Sequence, residues 1–272
     1  MKSKTMEVIS ASDLNPKYLS CVRFFISSWL TYPATSGVRF IPKVLIVADV
    51  IPYEIRDLTK YLKIVKPTNL PSAFVAQTSR IIEARESEYD LVMTSDIDML
   101  PLSLSFETNV LFSDSLNSLS FIIMRDVLPP GQLPICYNIA SPSAWNLLLD
   151  HFGNNLSTLD ILKKILDKHG GRENYSGEHG GRGWTIDQET LWQLIQSNSK
   201  NLNVVKYQDQ QTSHRRLDRS STGKIKKWLA LPLVFFGIYH DYHVHHPVTQ
   251  HATYLKILIA VRDLGLKVRS RG

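Results

Sequence analysis

Residues Tyr89 to Pro101 constrain the fold most: the apolar run Leu91-Val92-Met93 breaks off into Thr94-Ser95-Asp96-Ile97-Asp98. A short apolar run of this kind reads as a strand buried on both faces, so the sheet that holds it must be covered on both sides. Its last residues would then carry acid to the rim of a cleft. In an extended chain successive side chains alternate, which places Asp96 and Asp98 on one face and turns Ile97 into the core. Pro101 is expected to end the pairing.

Two carboxylates on one face repel each other unless a cation lies between them. A divalent ion meets that need, and oxygen donors suit magnesium or manganese, which keep positions open for water and phosphate. Two solvated turn acids are the plainer reading of the same pair.

The flanking sequence sets the strand in an alternating pattern. Val8 to Ser12 reads as a first strand, Tyr18 to Leu30 as a helix, Lys43 to Asp49 as a second strand, Glu54 to Tyr61 as a short helix and Leu62 to Val65 as a third strand. Ser72 to Glu86 is the helix before the acidic strand, with Phe74, Val75, Thr78, Ile81 and Ile82 facing inward. Such alternation predicts an α/β fold with a mainly parallel central sheet and helices on both faces. Ligands then bind beyond the carboxyl ends of the strands, at Ala11-Ser12, Asp49 and Asp96-Asp98. Downstream, Phe106 to Leu116 is expected to be helical, Leu119 to Met124 and Leu133 to Ala140 to be strands, and Ser143 to Phe152 and Leu159 to His169 to be helices.

Gly170 to Gly183 is glycine-rich and polar but lacks the spacing of a phosphate-binding loop, and reads as a mobile loop. Trp184 to Trp192 opens a helix, with Thr185 as its cap and Asp187 and Glu189 placed to favour its first turn. Val204 to Tyr207 is a further candidate strand. A basic stretch, His214 to Lys227, follows it; a solvated face, a diphosphate clamp and contact with an acidic membrane surface are all open to it. The apolar run Trp228 to Tyr239 looks strand-like and delivers His240, His243, His245 and His246, imidazoles suited to transition metals.

An apolar strand ending in Ser-Asp-Ile-Asp, in a chain opening with strand, helix, strand, resembles the DxD motif of nucleotide-sugar-dependent glycosyltransferases of the GT-A fold. The likeness is specific around Asp96-Asp98, Trp184 to Gln188 and the late histidines. It implies a GT-A-like (Rossmann-like) sheet over residues 1–272, with a nucleotide-binding half at 1–100, a donor-sugar and acceptor half at 101–200, and a C-terminal segment at 201–272 that completes a metal site. It implies Ala11, Ser12 and Asp49 near the base, Asp96 near the ribose or metal, and Arg80 reaching the nucleotide. Asn138, Trp184 and Gln188 would line the donor sugar and acceptor, with Ser141 a further candidate that equally reads as a helix cap. Asp98 and His243 would hold manganese or magnesium with Asp96, and His240 and His245 stand behind His243. Asp187 would be the general base of an inverting transfer from a nucleoside diphosphate sugar, UDP favoured, to a glycan or other hydroxyl. The same residues leave room for a sugar nucleotidyltransferase, a metallohydrolase on the histidines, or a basic membrane- or polyanion-binding module.

Composition narrows the classes. With 43% hydrophobic and 21% charged residues over 272 positions, the chain is ordinary for a globular protein. Its net charge of +6 and pI near 9.2 point to anionic partners, with nucleic acid not among those the motifs suggest. Cys21 and Cys136 sit in apolar surroundings and read as reduced. The sequence shows neither a secretory leader nor the ~20 apolar residues of a spanning helix, so the expected setting is cytoplasmic, soluble or peripheral to a membrane.

Overall fold

The computed structural model describes residues 4–32, 37–66, 69–103, 117–153, 156–219, 228–246 and 248–269. The central sheet has seven strands in the order β3-β2-β1-β4-β7-β6-β8. These are β1 (Lys4–Ser12), β2 (Val38–Val47), β3 (Leu62–Val65), β4 (Leu91–Thr94), β6 (Ser120–Ile123), β7 (Asn138–Ala140) and β8 (Asn203–Lys206). A second sheet joins β5 (Met99–Pro101), β10 (Asp241–His243) and β9 (Arg216–Leu217), in that order. In the main sheet β7 runs antiparallel to both β4 and β6, while every other pair is parallel.

Both faces of this sheet are covered, as its apolar strands demand. In β1, Met6 and Val8 belong to one core and Ile9 and Ala11 to the other; in β2, Val44 and Ile46 oppose Leu45 and Val47 in the same way. The first core is closed by α2 (Val22–Thr31) and by the C-terminal helices α8 (Leu231–Phe235) and α9 (Ala252–Arg269). The second is closed by α3 (Ser72–Glu83), α4 (Pro142–Leu149), α5 (Thr158–Lys168) and α6 (Ile186–Ser197). Two single turns, α1 (Pro16–Leu19) and α7 (Asp209–Thr212), complete the helices. Pro42 is tolerated inside β2 because β3 pairs only from Val44 onward, so the missing donor falls on an open edge.

The local expectations fail where tertiary pairing or turn chemistry decides. The helix read over Tyr18 to Leu30 is broken at Ser20-Cys21, and Tyr53–Tyr61 is a 3-10 helix. Leu133 to Ala140 contributes only three strand residues. Asn138 follows Tyr137, which sits at φ 68 and whose backbone N–H donates to Thr94 O at 2.7 Å. The apolar run before Tyr239 is helical at Leu231–Phe235. The expected helix over 106–116 lies outside the described residues.

The acidic pair is also placed differently. β4 ends at Thr94, and Asp96 to Met99 forms a tight turn closed by Met99 N–H on Asp96 O at 3.1 Å. The two aspartates are therefore gathered by a turn, and Pro101, far from ending the pairing, sits opposite Asp241 in the second sheet.

Gly265 fixes how the C-terminal helices meet. A Cβ there would stand 2.2 Å from the Phe235 carbonyl oxygen, so α9 crosses α8 at backbone contact. Gly265→Ala is expected to force the helices apart and cost about 1–3 kcal/mol, read as a lowered urea midpoint. An unchanged midpoint would mean that the crossing relaxes freely.

Candidate functional site

Strand order reverses direction between β1 and β4, and the crevice beyond their carboxyl ends is where open α/β sheets take ligands. A cavity of about 280 Å³ lies there. Ala11, Ser12 and Asp13 line it from β1, Ala76, Gln77 and Arg80 from α3, and Asp96 to Asp98 from the turn after β4. Trp184, Asp187 and Gln188 line it around the start of α6, and Tyr18, His179, Arg219 and His243 complete the wall.

Arg80 is the centre of one half. It is only 7% exposed. Its Nε donates to Gln77 O at 3.0 Å, Nη1 to Ser95 O at 3.0 Å and to Asp96 Oδ1 at 2.6 Å, and Nη2 to Asp187 Oδ2 at 3.0 Å. One guanidinium thus ties α3, the acidic turn and α6 together, a task its planar fork suits. Burial works against its charge, but Asp96 and Asp187 more than compensate and hold it cationic.

Asp187 is buried, with Oδ1 accepting from the Gln188 N–H at 2.9 Å and Oδ2 engaged by Arg80. Burial pushes its carboxyl up to about 6 from 3.8, against the pull of Arg80. A raised carboxyl holds its proton more tightly folded than unfolded. Its stabilising share is therefore complete below about pH 4 and is lost as pH rises through about 6. Asp187→Asn cannot ionise, so its stability relative to wild type should rise by on the order of 1–3 kcal/mol between pH 4 and pH 7. Urea titrations of both proteins at the two pH values test this; a constant difference would remove the ionisation of Asp187 from the account.

Asp98 is the centre of the other half. Its Oδ2 lies 2.9 Å from Arg219 Nη1, 3.1 Å from His246 Nε2 and 3.3 Å from His243 Nε2. Burial alone would raise this carboxyl, but hydrogen bonds from His243 and His246 and the charge of Arg219 hold it well below the usual carboxylate range. The far nitrogen of His243, Nδ1, lies 3.1 Å from Asp218 Oδ2. With Nδ1–H donating to Asp218, Nε2 faces Asp98 with a lone pair, an arrangement that needs a proton or a cation between the two.

Donors about 2.1 Å from one ion and at right angles stand roughly 3.0 Å apart, close to the spacing between Asp98 and the two imidazoles. Among the described residues no group of three or more His, Cys, Asp and Glu side chains could hold a metal ion as it stands. The donors close instead on the Asp98 oxygen, and Arg219 supplies the positive charge.

The remaining candidates fall on both sides of this boundary. Ala11, Ser12, Arg80, Asp96, Asp98, Trp184, Asp187, Gln188 and His243 all line the cavity. Asp49 does not: it is exposed in the bend after β2, where a turn acid needs no ligand. Asn138 is buried and spent on structure, donating to Pro134 O at 2.7 Å and Ile135 O at 2.9 Å. Ser141 caps α4 by accepting from the Ala144 N–H at 3.1 Å. Thr185 makes no cap and donates to Glu189 Oε1 at 2.6 Å. Asp96 is turned toward Arg80.

The four late histidines separate. His240 is buried against His214 and accepts from the Arg215 N–H through Nδ1, and His245 is bonded to the Tyr242 hydroxyl. From sequence, His240 and His245 stand behind His243 and His246 is left unranked, yet it is His246 that joins His243 at Asp98. Their spacing, His243-x-x-His246, was the available signal, since one tight bend brings both to one side. Arg216 and Arg219 also leave the solvated-face reading. Arg216 grips the buried Asp241 with Nη2 at 2.8 Å and Nε at 3.1 Å, bracing β9 against β10 behind His243, and Arg219 turns to Asp98. Residues 220–227 of the basic stretch lie outside the described residues.

No family model and no curated protein matches the sequence. Among solved structures, the glycosyltransferase GlyE of Streptococcus pneumoniae TIGR4 aligns with 99% of this chain at 12% identity and a TM-score of 0.49. The chain spans 64% of the length of GlyE. The galactosyltransferase LgtC, solved with donor and acceptor sugar analogues, aligns with 94% of this chain and 95% of its own length at 13% identity and a TM-score of 0.45. At such identities neither likeness carries a residue's role across.

Proposed function

We propose that this chain is a glycosyltransferase of GT-A-like fold that uses a nucleoside diphosphate sugar, UDP favoured, and a divalent ion. The observation that carries the reading is the cavity at the β1/β4 crevice, where Arg80 bridges Asp96 and Asp187 on one side and Asp98 gathers Arg219, His243 and His246 on the other. A sugar diphosphate needs both: polar groups for the hydroxyls, and cationic groups for the charge that grows on the leaving diphosphate.

In this reading the base lies against Ala11 and Ser12 and the ribose near Asp96. The sugar lies toward Arg80, Asp187, Gln188 and Trp184. Asp98, His243 and His246, which here close on one another, would have to open to hold manganese or magnesium, whose charge would neutralise the diphosphate when bound. Arg219 would then be free to turn toward the same phosphates. The three stretches 1–100, 101–200 and 201–272 act as one catalytic unit, and the acceptor is a glycan or another hydroxyl compound.

The environment of Asp187 bears on the stereochemistry. A general base needs an oxygen within reach of the acceptor hydroxyl. Asp187 is buried, with Oδ2 held by Arg80 and Oδ1 accepting from the Gln188 N–H. We therefore place Asp187 as the residue that positions Arg80 and the donor sugar, which takes away the ground for inversion by an Asp187 base. The dispersal of His240 and His245 likewise removes the ground for a hydrolase built on all four histidines.

The test is nucleotide release from UDP-, GDP- and CMP-sugars, with manganese and a panel of hydroxyl acceptors, followed by NMR of the new glycosidic bond. UDP release that depends on acceptor supports the reading. Release from none of the donors contradicts it.

A further inference from the structure

The apolar surface of the described residues is unevenly spread. Of fourteen large apolar side chains that are exposed, eight lie between Trp228 and Val268. Leu229, Leu233 and Phe236, the second on α8 and the others just before and after it, are spaced i, i+4, i+7, and the buried Ala230 and Val234 face the core. On α9, Ile257, Leu264 and Val268 recur at i, i+7 and i+11, a stripe that the half-buried Val261 completes, opposite the buried Leu255, Leu258, Arg262 and Leu266.

The two stripes lie on helices that touch each other. α8 and α9 meet at Phe235 and Gly265, the Arg269 guanidinium donates to Phe235 O, and Trp228 packs edge-on to Tyr254 with centroids 5.2 Å apart. Leu229 is 69% exposed and Phe236 66%, so these side chains stand in water rather than leaning on the core.

The segment that carries this face is also basic. Residues 228–272 hold five Lys and Arg against two Asp, a net of +3. On α9, Lys256 and Lys267 lie about 80–100° round the helix from Ile257, at the edge of the apolar stripe, and both are exposed. An apolar face with a basic border fits the boundary between acidic headgroups and acyl chains, where apolar side chains insert and lysines meet the headgroups. No helix among the described residues is long and apolar enough to cross a membrane, so such contact lies along the surface.

We propose that α8 and α9 form a docking surface for an anionic lipid bilayer, holding the chain with Leu229, Leu233 and Phe236 beside Ile257, Leu264 and Val268 in the interface. This surface is separate from the cavity, and its reading does not depend on the transferase assignment.

The full chain is tested by pelleting with vesicles of phosphatidylcholine alone or with about 30 mol % phosphatidylserine, at low and high salt. Binding to the anionic vesicles, weakened by salt, is expected, with little binding to phosphatidylcholine. The triple variant Leu229→Ser, Phe236→Ser, Leu264→Ser should bind at least tenfold more weakly with an unchanged urea midpoint. Lys256→Glu with Lys267→Glu should lose the preference for acidic lipid. Wild-type binding by the triple variant, or no binding to either vesicle, overturns the proposal. So does a solution dimer that the triple variant dissolves, since the face would then belong to a second copy.

Discussion

Replacing Arg80 by alanine is expected to destabilise the fold by about 3–5 kcal/mol at neutral pH, because it leaves Asp187 buried without its cation, so that the carboxyl must take up a proton, and it cuts the tie between α3, the acidic turn and α6. Asp187 is 3% exposed, so water cannot take the place of the guanidinium. The loss should shrink in the double variant Arg80→Ala, Asp187→Asn, in which no buried carboxyl is left to be neutralised. Arg80→Lys should recover only part of the loss, since an ammonium cannot reach both carboxylates and the Ser95 carbonyl from one position. Urea unfolding of wild type, Arg80→Ala, Asp187→Asn and the double variant gives the cycle directly. A single-variant loss below about 1 kcal/mol would mean that Arg80 does not hold the acidic turn to α6.

The second large effect belongs to Asp98. Asp98→Asn keeps the shape of the side chain and removes the charge on which Arg219, His243 and His246 converge. Manganese-dependent affinity for UDP should fall more than about 100-fold, beyond what loss of a supporting residue alone gives. His246→Ala should share the defect, whereas His245→Ala, which removes a partner of Tyr242 and not of Asp98, should leave it nearly intact. Equal losses at His245 and His246 would place the metal elsewhere.

These two residues also mark how far the sequence can be read. The alternation of apolar strands and amphipathic helices is a local signal, and β1, β3, β6 and α3 through α6 stand close to where periodicity puts them. The acidic pair was visible because an apolar run stopped at it. Its geometry was not, since the turn is closed by Met99 on Asp96 and by the pairing of β5 with β10, over a hundred residues away.

Arg80 shows the same limit. Its helix position was readable, but its burial follows from Asp187, 107 residues on. Conversely, Asn138 and Ser141 carry polar groups that suit a sugar, yet the fold spends them on the turn before β7 and on the start of α4. The basic stretch after His214 looked like a solvated face because the carboxylates that claim Arg216 and Arg219, Asp241 and Asp98, lie on other strands and turns.

Calorimetric titration of UDP into the protein, with manganese and again with a chelator, tests the central claim most directly. If the β1/β4 crevice binds a nucleoside diphosphate through an ion held by Asp98, His243 and His246, binding appears with manganese, collapses with chelator and is absent from Asp98→Asn in either condition. Equal affinity with manganese and with chelator, or full affinity in Asp98→Asn, would contradict it.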